Sequence, residues 1–230
     1  KKITLIDYEN IRDNLSRRYL GFGRFAGIVG CYNSLNLYLQ TLGQKPMQRA
    51  YEANTYENLK NNVSKRDFGN ARIIVTGDGR VAKGSLEFLK FTNIKKIILS
   101  EYLQNNNSSA IFCNLPTSSY VARKDKNVFD LQHFINNPEM YISVLDKYIS
   151  SADMLISAHY WDPKSPKLFK KKDIEKFNDL KVIGDITCDI NGSIPTTSRS
   201  STIQDPHYYL DRTTLKETKN KNEVLAVMAV

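Results

Sequence analysis

Residues 73–84 carry the pattern that most restricts how this chain can fold. A short apolar run, Ile73-Ile74-Val75, is followed by Thr76-Gly77-Asp78-Gly79 and then by a segment with helical spacing. Gly77 can adopt backbone angles closed to other residues, and Gly79 places no side chain between the backbone and a ligand. Small Ala82 lets the helix lie close to its strand. Because the start of a helix attracts anions, this order predicts a strand, a glycine turn and a helix that bind a dinucleotide pyrophosphate.

A carboxylate follows at a suitable spacing. Glu101 comes directly after the apolar segment 95–100, which we interpret as the next strand. At a strand end it would hydrogen-bond the adenosine ribose. The pattern taken alone leaves two alternatives open, since an ordinary tight turn has the same glycines and a methyltransferase that uses S-adenosylmethionine has a similar turn and acid.

Composition narrows the class of protein. The 230 residues, 41% of them hydrophobic, suffice for one main core. No apolar run is long enough to span a membrane and the first residues lack a signal-peptide core, so we expect a cytoplasmic protein without a membrane partner. The three separated cysteines, Cys31, Cys113 and Cys188, predict reduced thiols and no metal site.

The net charge of +9 is spread along the chain, and the one basic run, Lys170-Lys171-Lys172, is interpreted as a solvated loop. We therefore expect no nucleic-acid partner. Attraction of an anionic cofactor and substrate is a sufficient use for the positive field.

The order of predicted elements favours an α/β fold, namely a Rossmann-type, doubly wound parallel sheet with an N-terminal linking helix. Residues 1–68 form the N-terminal segment, with a helix that ends near Leu42 before Gly43 and has Gly27 and Gly30 on one face. Residues 69–230 form the nucleotide domain, with an insertion near 103–150. The predicted strands are 72–76, 96–100, 153–158, 181–186 and 224–230.

Four longer motifs, in order along the chain, resemble one family. They are RRYLGFGRFAGIVG, IIVTGDGRVAKGSLEFL, ADMLISAHYWDPKSPKLF and KVIGDITCDINGSIPTT. Together they resemble the family of lysine-forming saccharopine dehydrogenase and alanine dehydrogenase. The resemblance implies an NAD-dependent oxidoreductase that oxidatively deaminates an amino acid or secondary amine to a 2-oxo acid, and it favours NAD over S-adenosylmethionine.

The resemblance also implies roles for individual residues. Arg18 corresponds to an arginine that binds the substrate carboxylate, and Asp189 to an acid beside nicotinamide and substrate. The cofactor residues, from the matched motifs and from the carboxyl ends of the strands, are Gly77, Gly79, Arg80, Val81, Glu101, His159, Tyr160 and Asp185. For several of these substrate and cofactor residues, an ordinary structural role is also open. Arg18 can cap a helix, His159 can be a structural donor, and the two aspartates can be turn residues.

The acid–base lysine and histidine of this family lie upstream of the segment that matches this chain. We therefore expect an excised cofactor-binding portion with no catalytic residue of its own, in which residues 1–68 are the remnant of a substrate domain. A non-catalytic NAD-binding module is the alternative. The partner would be an amino acid or 2-oxo acid of unspecified identity, and a homo-oligomeric state is left open.

Overall fold

The computed structural model describes residues 2–16, 18–104, 108–220 and 223–229. The helices are α1 (Gly23–Thr41), α2 (Tyr56–Ser64), α3 (Arg80–Leu89), α4 (Leu99–Gln104), α5 (Thr117–Tyr120), α6 (Leu131–Asn136) and α7 (Asp146–Ile149). The strands are β1 (Arg72–Thr76), β2 (Lys95–Lys96), β3 (Ile111–Leu115), β4 (Val121–Arg123), β5 (Tyr141–Ser143), β6 (Met154–Ser157), β7 (Val182–Asp185), β8 (Tyr208–Asp211), β9 (Glu217–Thr218) and β10 (Val224–Ala229). Within this part of the chain no helix is long and apolar enough to cross a membrane.

Eight strands form the main sheet in the order β2-β3-β1-β6-β7-β10-β8-β9. The pairs from β2 to β10 are parallel, and β8 and β9 add an antiparallel edge. This arrangement confirms the predicted α/β class with a mainly parallel sheet. Four predicted strands agree with β1, β6, β7 and β10 to within one residue at each end, Val230 lying outside the described residues.

The predicted strand 96–100 is wrong. Lys95 and Lys96 form an exposed two-residue strand at the sheet edge, and the chain turns into α4 at Leu99. The neighbours of β1 are β3, whose Phe112 pairs with Ile73, and β6. An apolar strand with buried residues on both faces suits this inner position better than a lysine pair does.

The segment predicted as an insertion has two structural parts. Its early residues supply β3 to the main sheet, and residues 117–149 form a small layer in which β4 and β5 pair antiparallel beside three short helices. The boundaries of an inserted unit therefore stay a prediction.

Alternate residues of the central strands enter two apolar layers. Ile73 and Val75 belong to the core beneath α1, α2 and α3, while Ile74 belongs to the core on the opposite face. This pattern is expected for a parallel sheet that is covered on both faces.

Helices α1 and α3 pack in direct backbone contact. A Cβ atom on Gly27 would lie 1.9 Å from the Val81 carbonyl oxygen, and one on Gly84 would lie 2.1 Å from the Arg24 carbonyl oxygen. A Cβ on Gly30 would lie 2.6 Å from the Ile186 side chain. The predicted close approach along one face of α1 is thus confirmed, as is the end of this helix before Gly43, whose φ is +71°.

Candidate functional site

The glycine turn lies at the carboxyl edge of the sheet, between the ends of β3 and β6. Gly77 has a φ of +100°, and a Cβ there would lie 2.8 Å from the Ala158 carbonyl oxygen. Its N–H donates to the Leu115 carbonyl at 2.8 Å. The Asn114 side-chain amide donates to the Gly77 carbonyl at 2.8 Å and to the Val75 carbonyl at 3.1 Å. Two neighbouring strands therefore fix the turn, and glycine is required by both backbone angle and space.

The ten-residue helix α3 begins directly after this turn. Gly79 is its N-cap, and no side chain of the described residues caps the helix. Apart from Gly79 and its two chain neighbours, no described atom lies within 4 Å of the position that a Gly79 Cβ would occupy. Backbone N–H groups at such a helix start attract anions. The space and the donors fit a pyrophosphate, whereas the exposed carboxylate of Asp78 in the same turn opposes one.

Arg80 and Arg18, which are far apart in sequence, meet at this edge. Nη2 of Arg80, the first residue of α3, donates to the Arg18 carbonyl at 3.0 Å. A Cβ on Gly21 would lie 3.0 Å from Nη1 of Arg80. The structure thus brings the predicted carboxylate-binding arginine beside the predicted phosphate loop, with both side chains exposed.

His159 follows β6 and is buried, with 9% of its surface exposed. Its Nδ1 lies 2.9 Å from the Thr76 hydroxyl, and its ring lies 5.8 Å from that of Tyr120. Burial lowers the pKa of His159 to about 4, so the imidazole is neutral at pH 7. These contacts support the structural alternative for His159, because the ring braces the glycine turn. The next residue, Tyr160, is 88% exposed at the same edge.

Asp185 at the end of β7 has no exposed surface. Its Oδ1 accepts from the Thr187 backbone N–H at 3.1 Å and from the Thr187 hydroxyl at 2.5 Å, and its Oδ2 accepts from the Thr197 hydroxyl at 2.6 Å. Burial raises the pKa of this carboxyl. Direct contact with a cofactor is therefore not supported. Asp185 instead fixes the loop that follows β7. This loop contains Asp189, whose side chain is exposed.

Glu101 is not at a strand end, contrary to the prediction. It lies in α4, where the carbonyl of Tyr102 accepts from Nη2 of Arg72 at 2.6 Å. Arg72 and Ser151, which both contact Tyr102, are at the amino ends of β1 and β6. The helix thus lies toward the edge opposite the glycine turn, and the geometric argument for a ribose contact fails.

Sequence reasoning missed three residues that shape the turn. Thr76 anchors His159, Asn114 ties β3 to Gly77, and Tyr120 packs on the His159 ring. The apolar run Ile111-Phe112-Cys113, followed by Pro116, is a strand signal that would have placed Asn114 beside the turn.

No protein-family profile matches the chain. Alpha-aminoadipic semialdehyde synthase of Bos taurus is 26% identical over 252 residues, and the match covers 92% of this chain and 27% of that protein. The enzyme of the same name from Arabidopsis thaliana is also 26% identical, with 90% and 23% covered. The chain is thus similar in sequence to alpha-aminoadipic semialdehyde synthase, and this similarity supports the resemblance to the saccharopine dehydrogenase family.

This chain thus spans about a quarter of the length of the curated relatives it matches. A solved structure of L-alanine dehydrogenase is similar over 98% of this chain and 51% of its own, with 11% identity and a TM-score of 0.43.

Proposed function

We propose that this chain is the NAD-binding portion of an amino-acid dehydrogenase, an oxidoreductase that acts on CH–NH donors. One observation carries the proposal: an uncapped helix start follows a turn in which Gly77 is required and Gly79 leaves open space. The relationship to alpha-aminoadipic semialdehyde synthase adds support for amino-acid metabolism.

The proposed site uses the start of α3 for the phosphates. The backbone around Gly77, Gly79, Arg80 and Val81 binds the pyrophosphate, and exposed Tyr160 lies beside the rest of the dinucleotide. When bound, NAD supplies the hydride acceptor. The Arg18 guanidinium binds the carboxylate of an amino acid or 2-oxo acid, for which its planar, permanently charged fork is suited. Asp189 lies toward the substrate.

We assign no acid–base residue in this chain. His159 is neutral, buried and bonded to Thr76, so it is not placed to exchange protons with a substrate. Residues 1–68 are proposed as an N-terminal segment with a linking helix, and residues 69–230 as the nucleotide domain. The Bos taurus relative is named as a mitochondrial enzyme, and a cytoplasmic location for this chain stays a prediction.

One observation favours the alternative of a methyltransferase. Asp78 puts a negative charge in the turn, which disfavours a pyrophosphate but does not repel the sulfonium cation of S-adenosylmethionine, which has no phosphate. Open space at Gly79 and the basic character of the chain, with a net charge of +9, favour the dinucleotide. A non-catalytic NAD-binding module would have the same turn and would bind NADH equally well.

The test is a calorimetric titration of the chain with NADH and, separately, with S-adenosylmethionine. We expect NADH to bind and Gly79→Val to weaken it at least tenfold, because the branched side chain fills the space beside the helix start. Gly69→Asn is the control, since Gly69 is also at an open position and asparagine tolerates its φ of +59°. Binding of S-adenosylmethionine without NADH would reject the proposal, and so would unchanged NADH affinity in Gly79→Val.

A further inference from the structure

A cavity of about 10 Å³ lies between α5, the end of β6 and the loop that follows β6. His159 and Trp161 line it on one side, and Thr117, Tyr120 and Ser165 contribute to the remaining wall. The cavity is close to the glycine turn, because His159 contacts Thr76 directly.

Two residues of this lining each carry a polar atom without a partner. Within the described part of the chain, neither Nε2 of His159 nor Nε1 of Trp161 has a hydrogen-bond partner, and both atoms are shielded from solvent. A buried donor or acceptor left unpaired destabilises a protein. Two such atoms on residues that line one cavity point to a ligand that pairs both.

One hydrogen-bond arrangement gives the two nitrogens opposite roles. When the Thr76 hydroxyl donates to the Ile156 carbonyl, 3.5 Å away, its oxygen accepts the proton on Nδ1 of His159, 2.9 Å away. Nε2 of the neutral imidazole is then an acceptor, whereas the indole Nε1–H of Trp161 is always a donor. The ligand must therefore donate one hydrogen bond and accept another.

Water and a primary carboxamide, such as that of nicotinamide, both meet this requirement, and the volume favours water. About 10 Å³ is the room that the centre of one water molecule needs, whereas a carboxamide has three non-hydrogen atoms. We propose that one water molecule is bound in this cavity, donating to Nε2 of His159 and accepting from Nε1–H of Trp161. Thr117 and Ser165 bring further hydroxyl groups to the same lining.

This water gives His159 a positioning role. It connects the loop at Trp161 to the imidazole, and the imidazole holds Thr76, the residue before Gly77. The water-linked pair therefore braces the glycine turn, whatever ligand the turn binds. The inference does not depend on the proposed function.

Nuclear magnetic resonance of the ¹⁵N-labelled chain, without any nucleotide, tests the proposal. Trp161 is the only tryptophan in the sequence, so its indole N–H gives one signal. We expect this signal to show a nuclear Overhauser effect at the water frequency and to exchange slowly with solvent. We expect His159 to be protonated at Nδ1 and unprotonated at Nε2.

Two variants sharpen the result. Trp161→Phe keeps a ring in the loop and removes the donor, so the Nε2 signal of His159 should shift. Lys164→Gln changes an exposed residue of the same loop and should leave both signals unchanged. Absence of the water effect on the indole, or a proton on Nε2, would overturn the proposal. An indole signal that lacks the water effect and shifts on addition of NADH would also overturn it. That result would show that the carboxamide, and not water, binds Nε2 of His159 and Nε1 of Trp161.

Discussion

The guanidinium of Arg80 donates a 3.0 Å hydrogen bond to the backbone carbonyl of Arg18. Through this bond the first residue of α3, beside the proposed phosphate site, is tied to the segment that carries the proposed substrate arginine. The contact holds the main chain of Arg18 and leaves its side chain exposed. Arg80 thus positions the N-terminal segment in addition to its proposed role in the phosphate loop.

Removal of this bond should loosen the N-terminal segment. We expect Arg80→Met to speed chymotrypsin cleavage at Tyr19 and Phe22 about 2- to 10-fold, since a net hydrogen bond is worth about 0.5–1.5 kcal/mol. Both aromatic residues are exposed. The control is Arg49→Met, which removes a similar bond to the Ile203 carbonyl at a distant position. Equal cleavage rates in the two variants would contradict the assigned role.

Gly27→Ala should destabilise the fold. The added methyl group would lie 1.9 Å from a carbonyl oxygen of α3, so the two helices must separate. Overpacking of this kind destabilises by about 1–3 kcal/mol, and we expect the upper part of that range because the obstacle is backbone. Urea unfolding measures it. Gly79→Ala, at an open N-cap, should change stability by less than about 1 kcal/mol. Comparable losses in both variants would refute the close helix contact.

Asp78→Asn tests whether phosphate lies beside the turn. Removal of a like charge a few ångströms from a pyrophosphate relieves a repulsion of about 1 kcal/mol in a water-like medium, so NADH should bind about 2- to 5-fold more tightly. The gain should shrink at high salt. Asp179→Asn removes the same charge from an exposed position before β7 and should have little effect. Weaker NADH binding in Asp78→Asn would instead mean that the carboxylate accepts a bond from the sugar.

Glu101→Gln should leave NADH affinity within about twofold of the unmodified chain. The reason is the position of α4, whose Tyr102 contacts the amino ends of β1 and β6 rather than the glycine turn. A lost bond to a charged group is worth about 1.5–3 kcal/mol, so a ribose contact would be detected easily by calorimetry. A tenfold loss of NADH affinity would show that Glu101 does contact the ribose.

Stability should fall as pH decreases from about 7 to 5, in part because of His159. Its pKa is about 4 in the folded chain and about 6.5 when unfolded, so between these values the unfolded chain binds the extra proton. This group alone should remove about 2 kcal/mol by pH 5. The free energy of unfolding in urea is measured for the unmodified chain and for His159→Gln across this pH range. The difference between the two isolates the contribution of His159 from that of the carboxylates. Parallel pH profiles would show that His159 is not buried as a neutral ring.

Local patterns in the sequence were sufficient for the unit β1-turn-α3 and for α1. The predicted strand 72–76 matches β1, the positive φ of Gly77 is as expected, and Gly43 ends the helix that contains Gly27 and Gly30. Each of these features depends on backbone sterics and on spacing within a few residues. Such rules operate before any distant part of the chain is in place.

Tertiary structure decided which elements meet. β1 pairs with β3 and β6, while the segment before Glu101 lies at the sheet edge beside β3. The buried side chains of His159 and Asp185 bond to the hydroxyls of Thr76 and Thr197, which the fold brings to them. The Arg80–Arg18 bond joins residues on separate segments. These outcomes depend on long-range strand pairing and on competition for buried positions. Burial at an inner position in the sheet stabilises an apolar strand more than it stabilises a lysine pair. The sequence pattern of a single segment does not show which of two segments will take that position.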